Sequence, residues 1–155
     1  MRDLYVATML SDAALRSRAI TNMEQEHWAL IEEIGERIGL VVDVSGYGLG
    51  GALREIAVGL GAEITVPLSD LRKFWHEGEH YPECLASDVG SVISDNSLEP
   101  IDRLRLSTRE FCGPMIFAVA HDDVGEISKI AQRVEFTDLT LIASYQQGRP
   151  DVTFI

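Results

Sequence analysis

Basic residues are scarce in this chain. Thirteen Lys and Arg stand against 25 Asp and Glu in 155 residues, a formal charge of -12 at pH 7. That balance repels phosphate backbones and anionic lipid headgroups, so neither nucleic acid nor a membrane surface is an expected partner. Cysteine is almost absent, with Cys84 and Cys112 the only two and no CxxC spacing. A disulfide framework is not expected, and two reduced, structural thiols in a cytoplasmic protein are. No apolar run approaches the ~18 residues that a membrane span requires. The longest early one, Leu4 to Leu10, contains Thr8, runs into Ser11-Asp12 and lacks a basic leader and a small-residue cleavage site. It does not read as a signal peptide.

The rest of the composition is that of one globular domain. Hydrophobic residues make up 46% and charged residues 25% of the chain, enough apolar mass for a single core and too little charge for disorder. There is no internal repeat and no linker long enough to divide the chain.

Leu4–Leu10 reads as a buried strand. Thr21-Asn22-Met23-Glu24 has the spacing of a capping box, in which a hydroxyl and a carboxylate satisfy the free amides of a helix start. Ile20, Met23, His27, Ile31, Ile34 and Ile38 then recur at helical spacing, with Gly39 placed to end the helix and His27 as a core or boundary histidine; residues 12–20 either extend this helix or form a separate turn before it. Residues 40–44 form a second strand, and Ser45 to Gly51 a glycine-rich turn. Leu53, Ile56, Ala57 and Leu60 mark a helix closed by Gly61, and residues 62–66 a third strand stopped by Pro67. A short helix capped by Ser69 follows. Residues 77–102 form an irregular segment, with one short strand near Val92-Ile93. Arg103 and Arg105 alternate with Leu104 and Leu106, the pattern of an edge strand with its charged side in water. Met115 to Ala120 is the most apolar strand, and Asp123-Val124-Gly125-Glu126 starts a helix capped by Asp122 or Asp123. Residues 139–145 and 151–155 flank a turn and read as a closing hairpin. The expected fold is α/β: one compact domain with a mixed sheet, β-α-β-α-β alternation first and a β-α-β-β hairpin unit last.

Three constellations bear on chemistry. His76-Glu77-Gly78-Glu79-His80 is a literal H-E-x-x-H, which on a helix places His76 and His80 one turn apart as zinc ligands, with Glu77 as general base. Gly78 weakens that helix, Glu79 adds a carboxylate to a segment usually uncharged, and Pro82 stops it from continuing. No signature fixes a third ligand, Cys84, Glu99, Glu110 and His121 all being open. The turn containing Gly46, Gly48, Gly50 and Gly51 lies between a strand and a helix, where backbone amides can receive a phosphate or carboxylate. Its G-x-G-x-G-G spacing departs from G-x-G-x-x-G, no Walker lysine is present, and a tight turn with close helix–strand packing is the better account of it. Finally, strands ending at Leu10, Val44 and Ala120 would, if parallel, bring Ser11, Asp12, Ser45, Tyr47, His121 and Asp122 to one rim. A Ser45–His121–Asp122 hydrolytic set depends on that geometry.

Charge gives the leading reading. Glu77, Glu79, Glu83, Asp88, Asp95, Glu99 and Asp102 occur without one Lys or Arg between them, interleaved with apolar anchors such as Trp75 and Tyr81. Acidic segments with aromatic anchors suit a basic protein surface, because the field speeds encounter and the anchors hold it. The expectation is a non-catalytic acidic protein that recognises and inhibits or regulates a more basic partner, in the manner of an immunity protein. Trp75, Glu77, Glu79, Tyr81, Glu83 and Asp88 form the expected contact, Glu24 and Glu33 a second acidic face, and no cofactor is required. Two other readings stay open: a nucleotide- or small-anion-binding domain using Gly46–Gly51, and a small zinc hydrolase using His76 and His80.

Overall fold

A computed structural model describes residues 12–24, 28–74, 86, 98–109, 115–136 and 139–155. The strand expected at Leu4–Leu10, His27, the short strand near Val92-Ile93 and both cysteines lie outside them. The architecture is mixed α/β, with six α-helices and two sheets among the described residues.

Helix α1 (Ala13–Glu24) includes residues 13–20, one of the two arrangements left open for the stretch before Thr21. The Asp12 carboxylate, not the Thr21 hydroxyl, caps it: Asp12 Oδ1 accepts from the amides of Ala14 (2.9 Å) and Leu15 (3.0 Å). Ala13, Ala14, Leu15 and Arg16 are strong helix formers, so the segment propagates from that cap through Thr21. Ile20, expected on an apolar stripe, is exposed, and Ala19 is buried instead. Helix α2 (Trp28–Ile34) buries Leu30 and Ile34 and gives way to a 3-10 turn, Gly35–Arg37.

Ile38 and Gly39 then belong to strand β1 (Ile38–Asp43), not to the end of a helix. β1 pairs antiparallel with β3 (Met115–Val119), and the register slips between Ile38↔Val119 and Leu40↔Ala118. Gly39 is the residue left over at this bulge. A bulge changes the side on which the preceding residue stands, and the packing follows from it. Leu40 and Val42 join Ile116 and Ala118 against the main core, whereas Ile38 joins Phe117 and Val119 against a second one. The second core is closed by Leu30 and Ile34 of α2 and by Ile127, Ile130 and Ala131 of α6 (Val124–Arg133).

Between β1 and β2 (Ala62–Val66) runs α3 (Gly48–Leu60), as its apolar period indicates. Leu49, Leu53, Ile56 and Ala57 are buried, and Gly61 ends the helix at φ +60° with its amide turned back to Ala57 and Val58. Helix α4 (Leu68–Phe74) follows Pro67 directly, so Ser69 lies inside the first turn instead of capping it.

Residues 103–106 are helical, not an edge strand. Helix α5 (Pro100–Ser107) starts with proline at its first position, where a missing amide costs nothing, and buries Asp102 and Leu106 one turn apart. Residues 100–102, expected to belong to the irregular acidic segment, are therefore helical.

The closing hairpin is split. Strands β4 (Ser144–Gln147) and β5 (Asp151–Phe154) do not pair with each other but flank β2, in the order β4-β2-β5. β4 is antiparallel and β5 parallel to β2. The connection crosses the start of β2, where the Gly148 amide donates to Gly61 O (3.1 Å) and Arg54 Nη1 to Pro150 O (3.0 Å). A central β2 buries Ile64 and Val66 that an isolated hairpin would leave bare.

Helix α6 ends in a Schellman arrangement, with Phe136 N donating to Ala131 O (2.8 Å) and Glu135 N to Gln132 O (3.2 Å). Glu135 takes the left-handed conformation at φ 58°, which a side chain disfavours by about 1 kcal/mol. Glu135→Gly is expected to stabilise the protein by about 0.5–1 kcal/mol, read as a higher urea midpoint at unchanged slope.

Candidate functional site

The antiparallel β1–β3 pair decides the proposed rim. Asp43 sits opposite Met115 and Ile38 opposite Val119, so the chain leaves β1 at one end of the pair and β3 at the other. Ser45 and His121 are thus placed at opposite ends, and no Ser45–His121–Asp122 set is formed. Asp123 makes no capping bond at the start of α6; its carboxylate lies 3.7 Å from Arg37 Nε.

The glycine turn does lie at the N-terminus of α3, as expected. Gly48 has φ +65°, and a Cβ there would stand 2.6 Å from Leu106 O and 2.7 Å from Thr108 O at the end of α5. A Cβ on Gly51 would strike Tyr47. Close packing thus accounts for both glycines, and Gly46 faces open space. Among the described residues, no group of three His, Cys, Asp or Glu could hold a metal ion. His76 and His80 lie outside them, as do Trp75, Glu77, Glu79, Tyr81, Glu83 and Asp88.

What the described residues place is the base from which the acidic segment departs. Asp102 of α5 is fully buried, and Arg72 of α4 donates to it from Nη2 (2.5 Å) and Nε (3.4 Å). That hydrogen bond, and then the carboxylate's charge, hold the Arg72 guanidinium above its ordinary range. Arg105 Nη1 lies 3.9 Å from Asp102, and Glu99 lies 3.7 Å from Arg72. Arg72 precedes the acidic segment and Glu99 closes it, so its two stems meet at one point. Midway, Ala86 bridges to Thr108 at the end of α5. Two of the seven acids, Glu99 and Asp102, are consequently engaged by Arg72. Glu33 of the second acidic face is also paired, 2.6 Å from Arg133 Nη2; Glu24 ends α1.

A second surface escaped the sequence reading. The solvent side of α3 carries an open groove of about 420 Å³ lined by Tyr47, Gly51, Arg54, Glu55, Val58 and Gly59. The signal was available: Tyr47, Gly51 and Val58 recur at helical spacing on the side away from Leu53, Ile56 and Ala57. No helix among the described residues is long and apolar enough to cross a membrane. No family model matches the chain, and no curated protein does.

Proposed function

We propose that this is a non-catalytic acidic binding protein that recognises a more basic protein and inhibits or regulates it, in the cytoplasm and without nucleic acid or a cofactor. The observation that carries the reading is one of charge and tethering together. Glu77, Glu79, Glu83, Asp88 and Asp95 all belong to a stretch whose stems are joined through Arg72, Glu99 and Asp102. Glu99 and Asp102, the last two acids of that stretch, stand with Arg72 of α4 at its base, and carboxylates close together in sequence add their fields. Trp75 and Tyr81 supply the apolar anchors that such an encounter needs to persist.

The test is a pull-down from native cell extract at low and high salt, with wild type and a variant in which Glu77, Glu79 and Glu83 are reversed to Lys. A basic protein is expected to bind the wild type, leave it in salt, and fail to bind the variant, while the unfolding midpoint stays the same. Equal capture by both proteins would remove the acidic segment as the contact surface.

A further inference from the structure

We draw no further inference here: the strongest candidate, the surface patch on the outward face of α2 and the 3-10 turn after it, where Trp28, Glu32 and Glu36 stand exposed, is an acidic cluster beside one aromatic ring, and nothing in the structure shows what covers it.

Discussion

Alanine at position 48 is expected to lower stability by about 3–5 kcal/mol, a large part of what a domain of this size has. Two costs combine. Gly48 sits at φ +65°, where a Cβ costs roughly 1–2 kcal/mol against its own backbone. That Cβ would also lie 2.6 Å from Leu106 O, 2.7 Å from Thr108 O and 2.9 Å from Ser107 C. All three are backbone atoms at the end of a helix whose Leu106 and Thr108 are buried, so relief requires α5 to shift as a body. Gly61 provides the control, with φ +60° but nothing within 4 Å of its would-be Cβ. Gly61→Ala should therefore cost only the backbone part, about 1–2 kcal/mol. Urea denaturation of the two variants separates the contributions. Equal losses would show that α5 does not press on the start of α3.

The contrast between these glycines is a fair measure of how much the sequence disclosed. Gly61 was legible, because a glycine after a run of helical apolar spacing is a local signal. The turn at Gly48 was legible as a turn, but its reason was not, since α5 lies far along the chain. α5 itself was hidden by chemistry. Its inward positions include Asp102 and Leu106, and a buried aspartate breaks the apolar stripe that would have revealed the helix, leaving only the alternation of Arg103 to Leu106 to be read as a strand. For α1 the capping-box spacing at Thr21 left open whether residues 12–20 extend the helix, and the plain Asp12 that caps it was not read as the start. The split of β4 and β5 around β2, and the antiparallel pairing that separates Ser45 from His121, depend on partners remote in sequence, which periodicity does not encode. For the site, the acids and their scarcity of basic neighbours were readable, whereas the clasp that gathers their stems depends on Arg72 and Asp102 meeting in space.

Removing the Asp102 carboxylate is the second large effect expected. Asp102 is fully buried and accepts a bidentate pair of bonds from Arg72, with Arg105 at 3.9 Å. Charge-assisted bonds of this kind contribute about 1.5–3 kcal/mol net, and Arg72, being 45% exposed, can return to water when they are lost. Asp102→Ala should thus cost about 2–3 kcal/mol, a midpoint roughly 5–10 °C lower. Arg72→Met should be at least as harmful, because it leaves a buried carboxylate facing only Arg105 at longer range. Joining Arg72→Met to Asp102→Leu should recover most of either loss, since two charges are removed together and apolar side chains of similar size take their places. The urea midpoints of Arg72→Met, Asp102→Leu and the double give the coupling directly. Losses that simply add would mean that α4 and α5 are held by Leu71 and Leu106 in the core, and that the stems of the acidic segment meet at Arg72 without depending on it.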